Sequence, residues 1–195
     1  MISIDQVKDL RDRTGISVMQ CKKALEDAAG DMDKAIILLK KKGADVAGKK
    51  ADRVFNAGVI SSYVHAAGSV GVLVEVRCET DFVARNEEFQ KLAYDLAMQI
   101  AATNPEFLSE ESINTEAKDA AAAVFAAEVK GKPAAMQAKI LEGKINAYFK
   151  DRVLLQQQFI KNDSLTVQDV ITNGIQKFGE KIEIRRFTRY STTEN

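Results

Sequence analysis

Val70-Gly71-Val72-Leu73-Val74-Glu75-Val76-Arg77-Cys78 decides the fold. Here the pattern leaves the helical period, and the run reads as a β-strand. Just upstream, Val59, Ile60, Tyr63 and Val64 make another β run. Ala66-Ala67-Gly68-Ser69 lies between the two and supplies turn chemistry, so the pair predicts a β-hairpin. A third strand is expected far downstream, at Ile182-Glu183-Ile184-Arg185-Arg186-Phe187-Thr188-Arg189-Tyr190, where alternation puts Ile182, Ile184 and an Arg on different faces.

Outward from these strands the chain reads as helical. Phe89, Leu92, Ala93, Leu96, Ile100 and Ala101 line one face of a long helix that Asn104-Pro105 stops. Ala117 to Val129 is rich in alanine, Gly131-Lys132-Pro133 breaks it, and Ala134 to Phe149 supplies an antiparallel partner. Thr166 is placed to cap a last helix that runs through Ile171 and Ile175 to Gly179. Toward the N-terminus, Ser3 and Gln6, then Ser17 and Gln20, have capping-box spacing, and Asp31 opens a third helix that ends at Gly43. Three short helices with tight turns predict a compact bundle resembling a ubiquitin-associated domain. The polar stretch after it, with Lys49-Lys50 and Arg53, reads as a linker with some helical character.

The expected fold is therefore α+β. Residues 1–44 form a helical module, 45–56 a linker, and 57–195 a small antiparallel sheet with flanking helices. A helical hairpin over about 116–150 projects from that core. Segregation of helices from strands, rather than alternation, favours antiparallel pairing.

Composition narrows the function classes. The 195 residues are 46% hydrophobic and 29% charged, a soluble balance able to bury a core. The 28 Lys and Arg equal the 28 Asp and Glu, which argues against generic nucleic-acid binding. A single His and the unpaired spacing of Cys21 and Cys78 make a metal site or a disulfide unexpected. No apolar run spans a bilayer, and Met1-Ile2-Ser3-Ile4-Asp5 lacks the basic start and apolar block of a signal peptide, so a cytoplasmic location is expected. Neither a Gly-rich phosphate loop nor a nucleophile elbow is present, and no catalytic residue or cofactor is predicted.

One stretch remains: Cys78-Glu79-Thr80-Asp81-Phe82-Val83-Ala84-Arg85-Asn86, joining the second strand to the long helix. Asn86 suits the cap of that helix, which leaves Thr80 to Arg85 as the connection. Phe82 and Val83 are then apolar residues in a turn. Phe82 either folds back to plug the core or stands out as an aromatic wedge for a partner's pocket.

The run Glu79-Thr80-Asp81-Phe82-Val83-Ala84-Arg85-Asn86 resembles the signature of the elongation factor Ts family. So do Leu10-Arg11-Asp12-Arg13-Thr14-Gly15, Cys21-Lys22-Lys23-Ala24-Leu25, Gly30-Asp31, and His65 followed by Gly71-Val72-Leu73-Val74. The likeness covers nearly the whole chain, in the family's order. It implies a nucleotide-exchange factor for the GTPase elongation factor Tu, with Thr80, Asp81, Phe82 and Val83 disturbing the Mg²⁺ beside the bound nucleotide. It also implies that Arg11, Val18 and Met19 grip the GTPase domain and that His65 touches the β-barrel part of Tu. Core packing for Val18 and Met19, and an idle turn position for His65, are the competing readings. Long family members carry two core copies, with the Thr-Asp-Phe-Val segment in one and the histidine in the other. Here one copy carries both, which implies a homodimer. Without the resemblance the chain reads as a protein-interaction module with a ubiquitin-associated-like domain. A ribosome or RNA binder using Lys40 to Lys42, Lys49-Lys50 and Arg185-Arg186 is a further class, and an enzyme the weakest.

Overall fold

A computed structural model describes residues 2–130 and 133–193, with Ala134 and Ala135 described by their backbone alone. Three helices come first: α1 (Ile4–Thr14), α2 (Val18–Asp27) and α3 (Met32–Lys49). Ser3 and Gln6 close a complete capping box on α1. Ser17 Oγ accepts from the Gln20 amide at α2, and Asp31 accepts from the Lys34 amide at α3. Val7, Leu10, Ile16, Cys21, Leu25, Ala35 and Leu39 bury one another in a core of this module's own.

The stop expected at Gly43 does not occur, and α3 runs on to Lys49. Its first half packs in the N-terminal module and its second half lies on a later helix, α8 (Val167–Phe178). Gly43 lies close against α8. A Cβ there would stand 2.8 Å from Thr172 Cγ2 and 3.3 Å from Gln176 Oε1. A glycine that reads as a helix breaker in sequence is here a packing residue inside the helix. Lys40 Nζ pairs with Asp169 at 3.0 Å, Asn173 Nδ2 donates to Thr14 O at 2.9 Å, and Gln176 donates to Gln20, so α8 seats the module on the core. Asp169 loses by burial and gains more from the Thr166 amide and Lys40, which hold its carboxyl below the ordinary value.

The core sheet has the order β1-β2-β5, all antiparallel, with β1 Ala57–His65, β2 Val70–Cys78 and β5 Glu183–Ser191. Val72, Val74, Val76 and Cys78 point inward against Phe89, Ala93, Leu96, Ala97 and Ile100 of α5 (Glu87–Thr103). Asn104 caps the end of α5 in the left-handed region, ahead of Pro105, as the sequence suggests. The alternation of β5 holds only to Ile184. Glu75 pairs with Arg186 but Val76 with Ile184, so Arg185 is an extra residue in a bulge and the parity flips beyond it. A short pair, β3 (Gln158–Phe159) and β4 (Asn162–Thr166), was not foreseen. Two residues are too few for any period to register.

α6 (Thr115–Val129) and α7 (Ala134–Lys150) form the helical hairpin, packed chiefly on each other. Lys144 pairs with Glu128, and Phe125 meets Tyr148 edge to face, which fixes the antiparallel sense. Of the expected break, Gly131 and Lys132 lie outside the described residues. At the hairpin base Ile113, Ala121, Phe149 and Val153 make a separate apolar cluster.

Candidate partner-binding site

β2 ends at Cys78, and the chain turns into a four-residue helix, α4 (Asp81–Ala84), before α5. Thr80 caps α4 through its hydroxyl, which accepts from the Val83 amide at 3.4 Å, and Asn86 caps α5 by accepting from Glu88 at 2.9 Å. Successive residues on a turn of helix point about 100° apart. Val83 is 4% exposed and joins the core with Cys78 and Phe89, whereas Phe82 is 80% exposed. Val83 is the anchor of the corner and Phe82 its protrusion. Asp81 is also exposed and pairs with Arg85 at 3.1 Å across the helical turn. An ion pair so open to water is weak and easily exchanged.

Beneath this corner two carboxylates cross. Glu180 Oε2 accepts from the Glu79 and Thr80 amides, both at 3.0 Å, while its Oε1 accepts from the Thr80 hydroxyl at 2.5 Å. Glu79 reciprocates: its Oε1 accepts from the Lys181 amide at 2.6 Å and its Oε2 from Arg53 at 2.8 Å. Burial works to raise the Glu79 carboxyl. The bonds from Arg53 and Lys181 outweigh it and hold the carboxyl below its usual range. Burial pushes the adjoining Cys78 thiol up to about 11, with the Glu180 charge adding to it, so it stays a thiol and donates to Thr80 O at 3.2 Å. Glu180 gave no signal in the sequence. It lies a hundred residues from Thr80 and belongs to no local pattern.

The other site residues lie elsewhere. Arg11 is exposed on the last turn of α1, and Val18 and Met19 stand 50% and 82% exposed at the start of α2. Those exposures remove core packing as the reading for both. His65 ends β1 at the far end of the hairpin, its Nδ1 2.9 Å from Tyr63 Oη and its ring stacked on Tyr63. His65 pairs with Val70 and Ala57 with Cys78, in register throughout. That length of strand separates His65 from the α4 corner by roughly 25–30 Å. The structure thus gathers Thr80, Asp81 and Phe82 in one place and leaves His65 and the N-terminal trio in two others. Of the basic residues, Lys40 is taken by Asp169, Lys50 by Gly179 O and Arg186 by Glu75. Cys21 and Cys78 are both buried free thiols. Among the described residues no helix is long and apolar enough to cross a membrane.

Together these features define a class of protein: an α+β core that carries a helical N-terminal module, a helical hairpin and an outward-pointing helical corner. The family model for Elongation factor TS matches residues 32–174. The elongation factor Ts of Carboxydothermus hydrogenoformans is 47% identical over 196 residues, covering 100% of this chain and 90% of that protein. The Desulforamulus reducens protein is 48% identical over 99% of this chain and 90% of its own length, and that of Thermotoga maritima 46% identical over 99% and 97%. The chain belongs to the elongation factor Ts family, and so to the translation elongation factors.

Proposed function

We propose that this protein is a guanine-nucleotide exchange factor for elongation factor Tu, and that Phe82 is its working tip. The observation that carries the reading is an aromatic ring 80% exposed on a helical turn whose neighbour Val83 is sunk in the core. Large apolar groups held out on a rigid support are the type that supply binding energy in a partner's pocket.

Exchange asks for no bond chemistry from this chain. Nucleotide and Mg²⁺ favour one arrangement of the loops of Tu, and a partner favouring another must weaken nucleotide binding as much as nucleotide weakens the partner. Phe82 wedges among the elements that hold Mg²⁺, and exposed Asp81 leaves Arg85 to act on the same neighbourhood. Loss of the metal uncovers phosphate charge. About 4 kcal/mol appearing wholly in the release barrier speeds release roughly a thousandfold. Arg11, Val18 and Met19 supply a second grip, on the GTPase domain. Phe82→Ala is expected to slow stimulated release of fluorescent GDP from Tu by about a hundredfold. Release at the unaltered rate removes Phe82 from the mechanism.

His65 and Phe82 sit at opposite ends of one hairpin. We propose that they serve a single Tu from two different subunits of a homodimer. The outer face of the sheet suits the pairing: Ile60, Val64, Leu73 and Tyr190 are exposed there, at 67%, 66%, 48% and 73%. Apolar side chains gathered on one face mark association surfaces. Sedimentation should give twice the chain mass, and Leu73→Glu with Tyr190→Glu should halve it. A single-chain mass for the unaltered protein rejects the dimer.

A further inference from the structure

We propose that Glu180 is a positioning residue for exchange, fixing the direction in which α4 presents Phe82. The inference rests on the exchange reading above and extends it to a residue outside the corner. Its carboxylate gathers three donors, the Glu79 amide, the Thr80 amide and the Thr80 hydroxyl, at 3.0, 3.0 and 2.5 Å. These are the last groups before α4 begins. Charge-assisted bonds of this type are stronger than neutral ones. The return bond from the Lys181 amide to Glu79 makes the tie reciprocal, so the end of β2 and the segment leading into β5 are stitched through the backbone of each.

Glu180 is also where a second surface is referenced. α8 ends at Phe178, Gly179 caps it in the left-handed region, and Glu180 follows at once. The same α8 carries Asp169, Asn173 and the Thr172 contact to Gly43, the groups that seat the N-terminal module. One strut therefore sets both the Arg11, Val18 and Met19 surface and the Phe82 tip. Docking through the first surface delivers the second at a defined angle only while the Glu180 tie holds. A displacement of the tip by about an ångström is enough to lose much of its effect.

The role separates rate from affinity. Removing the tie leaves the docking surfaces intact, so the saturated rate should fall while the half-saturating concentration stays nearly unchanged. The test measures fluorescent-GDP release from elongation factor Tu across a range of factor concentration, with full-length Glu180→Ala, Glu180→Gln and Phe82→Ala. Glu180→Ala should lower the saturated rate about tenfold, with less than about a threefold change in half-saturation. Glu180→Gln should keep most of the rate, because its amide oxygen still accepts the two backbone donors and its amide nitrogen can donate to the Thr80 hydroxyl. If Phe82→Ala slows release and Glu180→Ala does not, Glu180 has no positioning role and the exchange reading survives. If Phe82→Ala releases GDP at the full rate, the exchange reading fails and takes this inference with it. A loss confined to half-saturation also overturns it. Should Glu180→Ala fail to fold, amide exchange in the unaltered protein decides: protected Glu79 and Thr80 amides support the tie, and unprotected ones refute it.

Discussion

The β1–β2 hairpin has two ends built on different principles. At the α4 end, side chains from distant segments hold the backbone: Glu180 grips Glu79 and Thr80, Arg53 grips Glu79, and Val83 is sealed among Cys78 and Phe89. At the turn end the ties are mostly local. Ser69 N donates to His65 O and Ala66 O, Tyr63 meets His65, and the chief distant bond is Thr192 N to Ser69 O at 2.9 Å. The first end pushes an aromatic ring into water and keeps it directed. The second holds a histidine at the rim of a three-residue turn in which Ala66, Ala67 and Gly68 all have positive φ. A protrusion that must do mechanical work needs support from outside its own loop, whereas a contact residue at a turn can be set by the turn alone.

Two phenylalanines seven positions apart give the sharpest test of that contrast. Phe89 is fully buried and meets Phe178 edge to face at 5.8 Å, directly under the supported corner. Truncating it removes a large side chain from a packed core, so Phe89→Ala should cost about 3–5 kcal/mol in urea or thermal unfolding. Phe82→Ala, at a surface position, should stay within about 0.5 kcal/mol of the unaltered protein in the same measurement. The two variants should then diverge in the opposite order in GDP release, with folded Phe82→Ala the more defective. Equal losses of stability would mean that Phe82 contributes to its own fold and is not held out for a partner.

The same contrast explains what the sequence discloses. Local signals read correctly: the Ser3–Gln6 box, the Asp31, Asn86 and Thr166 caps, the Asn104 stop and the two long strands each depend on residues within a few positions. The place of the corner was legible, since Asn86 had to begin α5 and the residues before it had to connect. The opposite fates of Phe82 and Val83 were not, because either ring or branch satisfies an apolar position and only the α4 turn separates them. Gly43 misled for a related reason. Its meaning lies in Thr172, well over a hundred residues away, not in its neighbours. Glu180 and the Arg185 bulge were invisible on the same ground: a partner on another element decides each.

Glycine substitutions probe the smallest energies and should carry opposite signs at the two ends. Ala67 has φ 54° and ψ 24°, a conformation in which the Cβ of an L-residue crowds its own backbone. Its side chain is exposed. Ala67→Gly relieves that crowding and gives back part of the gain through the greater freedom of glycine in the unfolded chain, leaving about 0.5 kcal/mol of added stability. Ala84 closes α4 with helical geometry and packs partly against the core. There the same change offers no relief and removes a half-buried methyl from a helical turn, so Ala84→Gly should cost about 1 kcal/mol. Urea midpoints of the two variants, measured together, check the pair. If both destabilise, the turn end has support that its local bonds do not reveal. If both stabilise, α4 is strained, and a corner under strain would be a poor mount for a ring that has to push against another protein.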